Sequence, residues 1–201
     1  IVLGLVGLLA ALGFYRSVLS YSEGTGKVVE IANQIHRGAL VFMRREYLYL
    51  AIFVIVVGAG ILVSDLGWRT TVAFLVGALS SATAGFIGMY AATKANVRTT
   101  TAAKDQGAAE ALTISFYGGS VMGLTVAAMG LLGLGVLYLF FGGDPETSHV
   151  IHGFGMGASS VALFSRVGGG IFTKSADVGA DLVGKIEAGI PEDDPRNPGV
   201  I

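Results

Sequence analysis

The chain is 201 residues long, 53% hydrophobic and only 13% charged, with a formal net charge of −1. A soluble domain carries about a quarter charged residues, so most of this surface cannot face water, and a mean hydropathy of +0.70 agrees. The balanced charge argues against a nucleic-acid partner, which needs a basic face, and the lack of cysteine rules out disulfides, thiolate nucleophiles and cysteine-held metal. Any metal must therefore sit on oxygen or on scattered histidines, which favours hard cations such as magnesium.

The chain opens at Ile1 inside an apolar run, without the basic n-region or small-residue cleavage site of a signal peptide. Ile201 follows directly on a polar loop. Both ends read as cut, so the expectation is a fragment of a longer protein. With about 20 apolar residues per crossing as the yardstick, five spans are predicted, over residues 1–20, 47–64, 70–93, 111–141 and 149–184. The expected fold class is an all-α membrane protein, a multi-span helical bundle forming a single membrane domain over residues 1–201. Its fifth helix extends into the cytoplasm and residues 185–201 form a cytoplasmic acidic loop.

Between the first two spans, Val28, Ile31, Ala32, Ile35, Ala39 and Phe42 recur at helical spacing, with charge on the other side. The pattern predicts an interfacial helix at the membrane surface or a continuation into the second span. Lys27, Arg37, Arg44 and Arg45 lie in this connection. Lys94, Arg98 and Lys104 lie between the third and fourth spans, and Lys185 and Arg196 follow the fifth. The remaining connections carry only Arg69 beside Asp65, and Asp144 with Glu146. This alternation places the N-terminus outside and the C-terminal loop in the cytoplasm.

Small residues recur four apart at Gly77, Ser81 and Gly85, and at Gly119, Gly123 and Ala127. Such rows let helix backbones approach closely where lipid supplies no hydrophobic drive. Gly168, Gly169 and Gly170 fall inside the fifth span, where each costs about 1 kcal/mol relative to alanine. A close neighbour is expected there to make up the loss.

The fifth helix concentrates the chemistry. If helical throughout, residues 149–184 run roughly 54 Å at 1.5 Å per residue, well beyond a hydrocarbon core of about 30 Å. Arg166 then falls inside the membrane near its cytoplasmic side, and Lys174 onwards lie at or above the surface. An arginine at that depth needs a carboxylate or a wet cavity, and intramembrane ionisable groups default to function. Further along, Lys174, Asp177, Asp181 and Lys185 share one face, with Arg166 nearly below them. Asp177 and Asp181, four residues apart, repel each other unless a cation bridges them. The flanking lysines could do this, giving a solvated helix end laced with Lys–Asp pairs. A magnesium ion could also do it, since it takes one or two carboxylates plus phosphate oxygens. Glu192, Asp193 and Asp194 in the following loop extend this acidic site or form a solvated turn; spacing leaves both open.

The string RVGGGIFTKSADVGADLVGKIEAGIPEDDPRNPGVI closely resembles the signature of membrane-bound inorganic pyrophosphatases. GMYAATKANVRTTTAA, YGGSVMGL and the EGT at residues 23–25 look like the same family, so the resemblance covers essentially the whole chain. It implies a dimeric, roughly sixteen-helix protein of the cell inner (plasma) membrane. Such a protein hydrolyses pyrophosphate on the cytoplasmic side and pumps protons or sodium ions outward. It implies magnesium as cofactor, with potassium as a second candidate, and the lipid bilayer as surroundings. By position, Lys174 contacts substrate, Asp177, Asp181 and Glu192 hold magnesium-pyrophosphate, and Arg166 lies at the coupling gate. It places the residues that position the attacking water beyond Ile201, so no catalytic residue is expected in this stretch, and the stretch alone is expected to be inactive. A secondary transporter of phosphate or divalent cations is the competing reading. It would more often carry broken helices and a mid-membrane site. A purely structural membrane subunit leaves the acid–lysine row unexplained.

Overall fold

The computed structural model describes residues 1–142, 147, 149–191 and 194. Five α-helices are described: α1 (Val2–Ser20), α2 (Lys27–Val63), α3 (Gly67–Asp105), α4 (Ala108–Phe141) and α5 (His152–Asp181). A 3-10 turn at His149–Ile151 precedes α5, and a π-helical turn at Leu182–Glu187 continues it. No strand occurs among the described residues. The helices α1 to α4 are long and apolar enough to cross a membrane, and the glycine-rich, charged α5 is not among them.

Two helices run well past the apolar segments that announce them. α2 begins at Lys27 rather than near Tyr47, so the amphipathic stretch does not form a separate surface helix but continues into the second span. The residues at the join, Met43-Arg44-Arg45-Glu46-Tyr47-Leu48, include no proline or glycine and are mostly good helix formers. α3 likewise continues to Asp105, which puts Lys94, Arg98 and Lys104 on the helix itself. Only Gln106 and Gly107 remain to turn the chain into α4. Gly107 has φ +95, a left-handed conformation open to glycine at little cost.

The chain divides into two units, Ile1–Ala162 and Leu163–Ile201. In the first, α3 packs against α2 and α4, and α1 lies along α4. The buried positions of α3 are mostly small: Ala73, Gly77, Ala78, Ala84, Gly88, Ala91 and Ala95. This lets neighbouring backbones come close. A Cβ on Gly77 would run into the carbonyl of Phe154, and one on Gly157 into the carbonyl of Phe74. A Cβ on Gly153 would lie 2.7 Å from the Thr70 carbonyl. The start of α5 and the start of α3 therefore meet backbone to backbone, through glycines on both sides. Of the two rows expected from sequence, Gly77 takes part in this contact, whereas Gly119 and Gly123 face open space.

The end of α3 is tied to the α1–α2 loop by an ion pair between a buried arginine and a half-buried glutamate. Arg98, 6% exposed, places Nη2 2.8 Å from Glu23 Oε1. Its Nε donates to the Tyr21 carbonyl at 3.1 Å and its Nη1 to the Lys94 carbonyl at 2.8 Å. Thr101 Oγ1 donates to the Glu23 carbonyl at 3.1 Å. Gly24 follows with φ +80, and a Cβ there would sit 2.7 Å from Thr101 Oγ1. The Tyr21 hydroxyl donates to Glu110 at the start of α4, which holds its pKa above the usual phenol value. The EGT segment and the RTTT run of α3 are thus two halves of one clamp.

Candidate functional site

The candidate site lies on the second unit, where the end of α5 carries its charges at helical spacing. Residues 171–187 hold no proline, so nothing interrupts the helical hydrogen bonding before Ala188 and Gly189. From Leu182 the helix relaxes into a π turn, the widened geometry often found at functional sites. It closes with the Ala188 N–H donating to the Val183 carbonyl at 2.8 Å and the Ile190 N–H to the Gly184 carbonyl at 2.9 Å. Gly189, with φ +61, lets the chain turn back for the second bond. The sequence offered no signal for the widening.

The four charged residues fall on one side, as expected, and the structure brings them together as two pairs. Lys174 Nζ lies 2.6 Å from Asp177 Oδ2, and Lys185 Nζ lies 3.7 Å from Asp181 Oδ1. All four are open to solvent, with side-chain exposures of 75% and 59% for the first pair and 45% and 43% for the second. The hydrogen bond from Lys174, then its charge, holds the Asp177 carboxyl below its usual range. Exposed pairs of this kind contribute about 0–1 kcal/mol. Folding therefore gains little from the row. Its carboxylate and ammonium groups stay accessible and can exchange partners for a ligand.

Arg166 lies three turns back along α5 from Asp177, about 16 Å along the axis. It is exposed, and no ion pair to it occurs among the described residues. Glu192 lies outside the described residues. Asp194 is described, half-buried, with its N–H on the Pro191 carbonyl at 3.2 Å. No cluster of three or more histidine, aspartate or glutamate side chains that could hold a metal occurs among the described residues. The donor set does suit a hard cation in part. Asp177 and Asp181 supply exposed carboxylate oxygens on one helix face, and magnesium needs no more than two from the protein when phosphate supplies others.

An all-α chain with four helices fit to span a bilayer, joined to a helix bearing an exposed acid–lysine row, is an integral membrane protein. The inorganic H+ pyrophosphatase family model matches residues 5–201, and the chain belongs to that family. It is 51% identical over 199 residues to a chain of Clostridium tetani provisionally named a K(+)-stimulated pyrophosphate-energized sodium pump. It is 50% identical over 199 residues to a K(+)-insensitive pyrophosphate-energized proton pump of Methanosarcina mazei. Each match covers 98% of this chain and 29% of the relative. A K(+)-stimulated pyrophosphate-energized sodium pump of Thermotoga maritima is 43% identical over 217 residues, covering 96% of this chain and 30% of its own length. The chain thus spans under a third of the length of these relatives.

Proposed function

We propose that this chain supplies one wall of the substrate site in an ion-translocating inorganic pyrophosphatase. The enzyme hydrolyses pyrophosphate and drives protons or sodium ions outward across the plasma membrane, working as a homodimer. The observation that carries the reading is the exposed row of Lys174, Asp177, Asp181 and Lys185, two carboxylates flanked on each side by an ammonium along one face. That arrangement suits a ligand carrying both phosphate charge and metal. The positive residues at alternate helix ends favour an orientation with the N-terminus outside and this row in the cytoplasm.

In this reading Lys174 releases Asp177 and turns its ammonium to a phosphate oxygen. Asp177 and Asp181, joined by Glu192, are then free to hold magnesium. Bound magnesium would neutralise phosphate charge as it builds up in the transition state. Lys185 stays beside Asp181 and keeps the pair of carboxylates from repelling. Arg166, below the row on the same helix, is the residue placed to relay its state to the ion path. Potassium dependence differs among the relatives by their names, and we assign potassium no residue here.

The test is phosphate release and ion uptake by the whole protein in sealed vesicles, with magnesium in excess. Asp181→Ala should lose hydrolysis. Arg166→Ala should lose ions moved per phosphate released more than it loses hydrolysis. Full turnover by the first variant removes the site assignment, and an unchanged ion-to-phosphate ratio in the second removes the coupling role. Residues 1–201 alone should release no phosphate.

A further inference from the structure

A second candidate site lies in the first unit. An apolar cavity of about 350 Å³ opens between α1, α3 and α4. Leu8 and Leu12 line it from α1, Ile87 and Tyr90 from α3, and Val121 and Thr125 from α4. Thr125 gives its hydroxyl to the Val121 carbonyl at 2.7 Å, so it brings no free polar group into the cavity. The walls are therefore suited to an alkyl chain.

One end of this cavity is different. Tyr15 and Tyr90 lie there with ring centroids 6.4 Å apart, and tyrosines of this kind mark the membrane–water interface. Residues four apart on a helix share a face. Arg16 therefore extends the Leu12 side of the lining by one turn, and Lys94 extends the Tyr90 side by one turn. Arg16 is exposed and Lys94 half-buried. Neither forms an ion pair among the described residues, whereas Arg98 beyond them is already used by Glu23. An apolar slot between membrane helices thus ends at an aromatic pair and two cations that form no ion pair among the described residues. Basic pockets between membrane helices take anionic lipid headgroups.

We propose that this cavity is a binding site for an anionic phospholipid, with one acyl chain between α1, α3 and α4 and the headgroup phosphate held by Arg16 and Lys94. An apolar slot that ends at two cations calls for an apolar chain ending in an anion, and an anionic phospholipid has both parts.

The experiment uses the whole protein, stripped of lipid in a neutral detergent and titrated with phosphatidylglycerol or phosphatidylcholine. Bound lipid is counted by native mass spectrometry. Phosphatidylglycerol should be retained roughly tenfold or more above phosphatidylcholine. The double variant Arg16→Gln, Lys94→Gln should lose that preference, and the charge-keeping pair Arg16→Lys, Lys94→Arg should restore it. Leu12→Trp, at a partly exposed lining position, should lower retention of both lipids by filling the slot. Equal retention of the two lipids by the unaltered protein overturns the proposal. So does a preference that survives loss of both charges, or no retained lipid at all. If the double variant does not fold, Arg16→Gln alone must still reduce the preference severalfold for the proposal to stand. Pyrophosphate hydrolysis is not the readout, so failure here leaves the function proposed above untouched.

Discussion

The ion pairs of this chain all join a cation to a carboxylate, yet at two places they do opposite jobs. In the clamp at the end of α3, a buried Arg98 meets Glu23 at 2.8 Å and spends its other donors on two carbonyls. In the row on α5, Lys174 meets Asp177 at 2.6 Å, yet both side chains remain more than half exposed. A buried pair that loses one partner leaves an uncompensated charge, at about 3–5 kcal/mol. An exposed pair loses about 0–1 kcal/mol, because water takes over the partner. Short distance alone does not separate them. Burial and the number of donors already satisfied decide which pair holds the fold and which can let go for a ligand.

The sharpest way to break the comparison is Asp181→Ala in the whole protein. Hydrolysis should fall at least about 100-fold, the upper range for losing support at a metal site. The thermal midpoint should hardly move, since surface changes away from special features stay within about 0.5 kcal/mol. A stable protein with full phosphate release would make the row mere surface. Arg98→Met tests the other half. It should destabilise by about 1–3 kcal/mol through the lost hydrogen bonds, read as a lower melting temperature in detergent, since the Glu23 it leaves behind is a third exposed. Glu23→Gln, which strands the buried guanidinium, should cost more, up to about 3–5 kcal/mol. If Arg98→Met melts like the parent, the clamp is not what secures the α1–α2 loop. A smaller effect is expected at the glycine contact. Gly157→Val drives two methyls into the backbone of α3 near Phe74, at about 1–3 kcal/mol for overpacking. The same change at Gly123, which faces open space, should cost clearly less. Equal losses would show that propensity rather than close approach is being measured.

How much of this was legible beforehand depended on the range of the interaction. α1 and α4 followed from apolar length, ending at Ser20 and Phe141 as the spans predicted. α2 and α3 were under-read because the yardstick counts apolar residues, while a helix continues through Arg44, Arg45 or Lys94 wherever nothing breaks it. The charged face of α5 was legible because its members lie within one local period. The Glu23–Arg98 clamp was not, since 75 positions separate its halves and no periodicity links them. In the sequence Arg98 reads as one of several cations between spans, and the EGT segment only as a string resembling a family. The contact of Gly153 and Gly157 with α3 was missed for a related reason: thirty-one glycines offer many possible rows, and only the partner backbone picks one.

The finest probe is the protonation of Asp177. Its folded pKa lies below the ordinary aspartate value, first through the hydrogen bond from Lys174 and then through that lysine's charge. A depressed carboxylate stabilises the folded state fully above its unfolded pKa, and that contribution disappears as pH falls through the folded value. At neutral pH the pair is therefore fully formed and pH-independent, and only acid should open it. Carbon-13 chemical shifts of labelled aspartate, followed from neutral to acid pH, should place Asp177 below the ordinary range. Lys174→Gln should bring it back up. Saturating pyrophosphate without metal should also raise it, because the substrate draws the lysine away and brings its own negative charge near. A carboxyl that titrates normally in the unaltered protein would break the pairing. One that stays depressed in Lys174→Gln would assign the effect to Lys185 instead. Only the expected pair of results, depressed in the parent and restored in Lys174→Gln, makes the small exposed pair, rather than the clamp at Arg98, the place where binding of substrate is first felt.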